Sequence, residues 1–355
     1  MIQVVDELDP STLTALLKDS EVTNGANVVS VERRPVGTGQ VASCWELTLG
    51  IEGRTELAAV VAKVPSGDPV SLATATAQHL YEREVRFYQL LAPLVVVRTP
   101  RCHHASFDEA TGGFLLLLES MAPSAEADQL DGLAVARAEL ALRELAGLHA
   151  PLWDAPGLDA ITFVQDVAAS LRPLYLEIVP ALFDAFLERY GDLATPTARG
   201  VVEWLRPRLG TYFEGREGPQ TVVHGDYRSD NLLFDGRGGE VPLAVVDWQT
   251  VAHGSGALDA AYLLTTSLTT DVRRAEERRL LAVYLERLGE LGVADVGFDA
   301  LFDDYVWHAF QGIVMLVCAS MIVARTDRGD GMFLTMIERI SAAVEDLDAR
   351  RALEH

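Results

Sequence analysis

The sequence predicts an α+β chain of two lobes, a β-rich first third followed by a mostly helical remainder. Strand-like runs at 27–36, 43–51, 57–64 and 114–119 dominate the first 120 residues. Beyond Met121 the pattern changes to helices, for example 132–150, 162–189, 271–290 and 300–325, with short β segments near 221–223 and 243–246. Strands first and helices afterwards is the order of segregated layers rather than of alternating βαβ units. With 355 residues and 49% hydrophobic content there is enough material for a large core. The expected division is an N-terminal lobe over 1–120 and a helical lobe over 121–352. Leu353-Glu354-His355 reads as the start of a vector-encoded tag and is set aside.

Taken in order, a short helix is expected after Asp9-Pro10-Ser11, a helix-start signature. Two strands then flank the loop Gly37-Thr38-Gly39-Gln40-Val41-Ala42-Ser43. A GxGxxA run also fits a dinucleotide-binding turn, but that reading needs a helix next. Here Cys44 to Ile51 alternates like a strand, so a β-hairpin flap fits better. The run Leu57 to Val64 is a strand carrying Lys63, and one longer helix is expected over about 70–92. Phe114 to Glu119 closes the set of strands.

Composition excludes several function classes. The formal net charge is −23, from 29 basic and 52 acidic residues, which repels nucleic acid and anionic membrane surfaces. Of these, 9 basic and 15 acidic residues fall before residue 121, so most of the negative charge lies in the helical lobe. Cys44, Cys102 and Cys318 are odd in number and lack metal-ligand spacing, as expected of small buried hydrophobes in a reducing compartment. The N-terminus shows no apolar signal core, and the apolar run 313–324 is shorter than the ~18 residues of a membrane span. The expectation is a cytoplasmic protein with no nucleic-acid or membrane partner; oligomeric state is not legible.

The sharpest chemical signal is Val223-His224-Gly225-Asp226-Tyr227-Arg228-Ser229-Asp230-Asn231, followed by an apolar run ending in Asp247-Trp248. Phosphoryl transfer to an alcohol requires a carboxylate beside the hydroxyl and oxygen ligands for Mg²⁺. A loop with Asp226 and then Asn231 supplies the base and one metal ligand, and Asp247 supplies the second. Either aspartate alone is as well explained as a turn former or helix cap; the combination with Asn231 is not. Lys63 stands out because the chain holds two lysines, Lys18 and Lys63, against 27 arginines. In an apolar strand it requires a partner. Helical spacing places Leu80, Glu84, Phe87 and Leu91 on one face, which favours Glu84 over Glu82. His224 is expected to pack under the loop. The remaining histidines lack ligand spacing, and the aromatic and Met residues over 302–336 read first as core.

His224-Gly225-Asp226 followed by Asn231 resembles the catalytic loop of the aminoglycoside phosphotransferase and choline kinase group, which is built on the protein-kinase fold. The resemblance covers nearly the whole chain and is most specific over 221–264. Tyr81 to Leu91, the LLLLES run and Asp247-Trp248-Gln249 followed by Gly256 and Asp259 look closest to the ecdysteroid-kinase-like branch. The resemblance implies a two-lobed protein-kinase-like fold and an ATP- (or other nucleoside triphosphate-) and Mg²⁺-dependent phosphotransferase acting on a small-molecule hydroxyl. Asp226 and Arg228 would be catalytic, Asn231 and Asp247 the metal ligands. Lys63, oriented by Glu84, would hold the α- and β-phosphates, Gly37, Gly39 and Ser43 would cover them, and backbone around Glu119 and Met121 would meet adenine. Arg228 would reach the γ-phosphate, and Asp259 would brace the loop. No segment resembles the activation loop of protein kinases, which favours a small acceptor; the alternatives are a nucleotide sensor without transfer activity and, less favoured, a protein kinase. The acidic lobe suits a cationic acceptor such as an aminoglycoside, but solvated acidic helices are the preferred explanation of the charge. Sterol-like, sugar-like and hydroxyacyl alcohols stay open.

Overall fold

A computed structural model describes residues 4–37, 41–164, 167–323 and 325–354, without the side chains of Glu126 and of 167–174. The chain packs as two compact units. The first comprises Met1–Leu94, Thr99–Ser124 and Asp235–Thr250; the second comprises Val95–Arg98, Ala125–Phe234 and Val251–His355.

The first unit is built on five strands, β1 (Val28–Pro35), β2 (Ala42–Ile51), β3 (Ala58–Pro65), β4 (Cys102–Phe107) and β5 (Phe114–Glu119), in the order β1-β2-β3-β5-β4, each antiparallel to its neighbour. Side chains alternate across the sheet. Val60, Ala62 and Val64 of β3 and Leu115 and Leu117 of β5 join one core with Leu13 and Leu17 of the helix Pro10–Leu17. The expected cap is present: the Asp9 carboxylate accepts from Thr12 N at 2.7 Å. Lys63 alternates onto the opposite face, in register with Cys44 and Leu116. There Tyr81 of the helix Leu80–Arg86 stacks on Phe114 with centroids 4.2 Å apart, so this helix covers the Lys63 face.

Two details differ from the sequence expectation. The helix expected over 70–92 is broken into Pro69–Ala77 and Leu80–Arg86, the latter continued by a wide turn over Phe87–Leu91. His79 between them has φ +54°, a left-handed conformation that ends one helix and starts the next. β4 was not anticipated: its sequence CHHASF is half-buried throughout and lacks the alternation that marks a strand, as an edge strand permits.

The second unit is helical. Its core joins Phe183 and Phe186 of Val167–Tyr190, Val201 and Leu205 of Pro196–Leu205, Phe310 and Ile313 of Phe298–Ile322, and Met336 and Ile340 of Asp327–Asp346. The β-rich N-terminal part and mostly helical C-terminal part are as the sequence predicted. Phe298–Ile322 corrects the estimate of apolar length. It is 25 residues long, and an 18-residue window of it, with mean hydropathy 1.6, is apolar enough to cross a membrane by composition alone, but more than half of that window is buried inside the protein. Two short antiparallel pairs hold the segment on which the site stands: Thr221–Val223 pairs with Ala252–Gly254, and Ala125 pairs with Phe234.

Candidate active site

Within the first unit, Lys63 Nζ lies 2.8 Å from Glu84 Oε1, 2.7 Å from Glu84 Oε2 and 2.8 Å from Asp247 Oδ1. Lys63 and Glu84 are buried, Glu84 to 1% exposure, while the Asp247 side chain keeps 27%. Asp247 adopts φ +69°, an uncommon conformation for a residue with a side chain. Its neighbours fix it there. The buried Trp248 ring stacks on Phe87 at 3.8 Å and 6°, and Gln249 Nε2 donates to Asp247 Oδ2 at 3.1 Å. Phe87 follows Glu84 by three residues, so the segment that supplies the carboxylate to Lys63 also seats the aspartate corner.

Two carboxylates share one ammonium, leaving a net charge of −1. Burial alone lowers the Lys63 value, but Asp247 and Glu84 hold it well above the usual lysine range. Burial raises the Glu84 value, against the pull of Lys63. Both groups therefore retain protons more tightly than in water. Gln249 Oε1 is buried with no hydrogen-bond partner among the described residues. A net negative corner with spare oxygens suits a hard divalent cation. Lys63 has three donors and two partners, so one N–H is left for a phosphate oxygen.

The other expected nucleotide contacts lie around this corner's sheet. β1 and β2 pair antiparallel, as expected of a hairpin, with Val36 N donating to Cys44 O, and Gly37 has φ +73°. Ser43 is in β2 opposite Val64; Gly39 lies outside the described residues. The hydroxyl of Tyr81, which the sequence did not single out, donates to Val41 O at 2.6 Å and accepts from Ser66 N. Glu119 N donates to Arg101 O, the Glu119 carboxylate accepts from Arg101 N and Arg237, and Met121 O accepts from Arg237 N. Part of the backbone expected to meet adenine is thus already engaged within the unit. Cys44, beside Lys63, has its thiol pushed up to about 11 by burial and is a packing residue.

In the second unit the loop after Thr221–Val223 presents Asp226, Arg228 and Asn231 together. Asn231 Nδ2 donates to Asp226 O at 2.8 Å and to Asp226 Oδ2 at 3.0 Å. Arg228 Nε donates to Asp226 Oδ1 at 3.2 Å, while its Nη1 pairs with Asp230 and lies 3.7 Å from Met332 Sδ. Arg228 is therefore bound to carboxylates of its own loop rather than extended.

The loop is strapped on both sides. Asp259, fully buried on the helix Gly256–Ser267, accepts from His224 N at 2.6 Å and Gly225 N at 2.9 Å, and His149 Nε2 lies 3.2 Å away. Burial alone would raise its value, but His149 and the His224 donor hold it below the usual carboxylate range. Gly225 has φ +83°, which glycine adopts at no steric cost. His224 is buried, with Nδ1 accepting from Asp226 N. At the other end Ser229 N donates to Ser267 Oγ, and Ser229 Oγ donates to Gln129 Oε1 at 2.6 Å. Gln129 in turn is held by Thr266 O, and Arg339 Nη1 donates to the Gln129 and Thr266 carbonyls. His149, Gln129 and Arg339 were not foreseen as supports, because each reaches the loop from far along the chain.

The family model of the phosphotransferase enzyme family (APH) matches residues 60–297, about two thirds of the chain, from just before Lys63 to beyond Asp259. The structure is similar to that of wild-type aminoglycoside 2'-phosphotransferase-IIIa in its GDP complex, with TM-score 0.54 and 17% identity, covering 94% of this chain and 98% of that one. It is also similar to a microcompartment-associated aminopropanol kinase, with TM-score 0.50 and 14% identity, covering 96% and 98%. At such identities the likeness is one of fold. A curated relative, acyl-CoA dehydrogenase family member 10 of Mus musculus, is 33% identical over 89 residues. That match takes in 24% of this chain and 8% of the mouse protein, so the chain spans only a small part of that relative. The chain belongs to the phosphotransferase enzyme family.

Proposed function

We propose that the chain is a kinase that moves the γ-phosphoryl group of a nucleoside triphosphate, ATP in the first instance, to a hydroxyl of a small molecule. The observation that carries this reading is the braced loop, in which one carboxylate, Asp226, and one carboxamide, Asn231, are held together by hydrogen bonds from within the unit. Asp226 orients the acceptor hydroxyl and takes its proton as the oxygen bonds to phosphorus and the bond to the diphosphate breaks. Lys63, kept charged by Glu84 and Asp247, binds the nucleotide phosphates; Gly37, Gly39 and Ser43 cover them, and backbone near Glu119 and Met121 receives the base. Asn231 and Asp247 are the proposed magnesium ligands; bound Mg²⁺ would neutralise phosphate charge. Arg228 trades its carboxylate partners for the γ-phosphate when the nucleotide is bound.

The lobe assignment follows the sequence, 1–120 for the nucleotide and 121–352 for the acceptor. A small acceptor is favoured over a protein one because Trp248–Thr250 and Ala252–Gly254 lead directly into the helix Gly256–Ser267, without an activation segment. The acidity of the second unit does not by itself select a cationic acceptor: Asp230 is paired with Arg228, Asp128 with Arg328 and Asp330 with Arg325. Placement in the ecdysteroid-kinase-like branch and a cytoplasmic location, free of membrane and nucleic acid, belong to the same proposal.

The test is ADP release with Mg-ATP across aminoglycosides, amino alcohols, sugars, sterols and hydroxy acids, for wild type and Asp226→Ala. Acceptor-dependent turnover that falls on the order of 10³-fold in the variant is expected. Mg-ATP that raises the melting temperature without turnover on any acceptor would favour a nucleotide sensor, and no response to Mg-ATP at all would overturn the reading.

A further inference from the structure

The loop that carries Asp226 is held from behind by a line of buried polar groups that ends at a tyrosine. Asp259 accepts from His224 N and Gly225 N, and His149 Nε2 lies 3.2 Å from the same carboxylate. On the far side of the imidazole, the hydroxyl of Tyr284, on the helix Thr270–Glu290, lies 2.7 Å from His149 Nδ1. His149, Asp259 and Tyr284 are all 0% exposed. Among the described residues the Tyr284 hydroxyl has no second hydrogen-bond partner. The backbone leaves room for this contact. Gly256 stands three residues before Asp259, and a Cβ there would lie 2.5 Å from the Tyr284 oxygen and 2.9 Å from His149 Nδ1. Thr221 Oγ1 donates to the His149 carbonyl at 2.7 Å, which ties this histidine to the strand that leads into the loop.

The distances fix where the protons are. An ionised Asp259 has no proton to give, so His149 Nε2 must donate to it. Were Nδ1 to carry a proton as well, the Tyr284 oxygen would have to accept, and its own O–H would be left buried with no acceptor. The satisfied arrangement is a neutral ring, with Tyr284 O–H donating to Nδ1 and Nε2–H donating to Asp259. We infer that Tyr284 is a positioning residue for the loop that carries Asp226: its hydroxyl fills Nδ1 of His149, keeps the ring to a single N–H, and so leaves the Asp259 carboxylate to grip His224 N and Gly225 N. An imidazolium in that place would compete with the loop for the same carboxylate. The effect on turnover rests on the reading of Asp226 as the base; the effect on the loop does not.

The experiment uses the full chain with Tyr284→Phe, which removes one oxygen and keeps the ring. The first readout is nuclear magnetic resonance of protein labelled with ¹⁵N, which needs no acceptor. In the wild type, His149 is expected to carry its proton on Nε2 alone. In Tyr284→Phe the Nδ1 resonance should move downfield as its donor is lost, and the amide protons of His224 and Gly225 should move upfield as their bonds to Asp259 weaken. The second readout is turnover with Mg-ATP and the acceptor found in the panel above. Here kcat is expected to fall about 3- to 10-fold, the effect of one hydrogen bond, with the KM for Mg-ATP unchanged. In an Asp259→Asn background the tyrosine change should add nothing. A proton on Nδ1 in the wild type would overturn the inference, as would unmoved His224 and Gly225 amides or a kcat equal to that of an active wild type. Moved amides with no turnover in the wild type would leave the inference standing and count against the kinase reading instead. Should Tyr284→Phe not fold, the wild-type spectra decide: a slowly exchanging Tyr284 hydroxyl proton coupled to His149 Nδ1 is expected, and a protonated Nδ1 overturns the inference.

Discussion

In the first unit a buried carboxylate, Glu84, is balanced by another side chain; in the second a buried carboxylate, Asp259, is balanced mainly by backbone N–H groups and one histidine. The Lys63 corner carries a net charge of −1 and holds its protons tightly, since burial dominates at Glu84 and two carboxylates surround one ammonium. The Asp259 cradle has its donors fixed in place by the fold and stays ionised despite complete burial. The difference separates two tasks. A cradle of backbone donors sets a shape, whereas a corner of side-chain charges remains responsive to an added cation or phosphate.

The sharpest way to break this contrast is to remove Asp259. Asp259→Ala strips the acceptor from His224 N, Gly225 N and His149 together, and is expected to cost about 3–5 kcal/mol by urea denaturation. Misplacing the loop should also lower turnover on the order of 10²-fold. A loss below ~1 kcal/mol would mean the cradle is ornamental. Lys63→Met comes next. It leaves Glu84 buried without a counter-charge but free to protonate, so about 1–3 kcal/mol is expected. Adding Glu84→Leu should restore that stability, while Mg-ATP no longer raises the melting temperature of either variant. A double variant no more stable than the single would sink the idea that this corner serves function rather than folding.

The smallest effect is in pH dependence, and its sign differs between the regions. Asp259 has a lowered folded value, so its contribution is present above the usual carboxylate range and fades as pH falls through the folded value. Glu84 has a raised folded value, so its contribution is present below the usual glutamate range and fades as pH rises through the folded value. Melting scans between pH 3 and pH 7 should therefore show the penalty of Asp259→Asn growing with pH and that of Glu84→Gln shrinking. Parallel slopes would contradict the contrast.

The sequence carried the local part of this arrangement. Period-two alternation located β1, β2, β3 and β5, and helical-face reasoning separated Glu84, which meets Lys63, from Glu82, which remains at the surface beside His79 and Arg86. The His224 to Asn231 spacing is a property of one loop and is visible in one line of sequence. What it did not carry is distance in three dimensions. Gln129 reaches Ser229 from 100 residues away, and His149 reaches Asp259 from 110. No period or motif marks such pairs. β4 escaped because an edge strand needs no alternation, and the break at His79 because a left-handed histidine leaves no pattern in the residues around it. The helix Phe298–Ile322 was undervalued because acids and His308 in its first turns interrupt an apolar run that the three-dimensional helix treats as one face.

The scarcity of lysine also matters at the bench. Lys63 is enclosed by two carboxylates and a sheet, and Lys18, the other lysine of the sequence, has its side chain 70% exposed at the end of the helix Pro10–Leu17. An acylating reagent thus meets a single open side-chain amine, on the sheet-bearing unit, while the helical unit offers it none. Among its side chains, then, acylation reads out one defined position, Lys18, and the guanidinium groups that supply nearly all of the side-chain positive charge are left untouched.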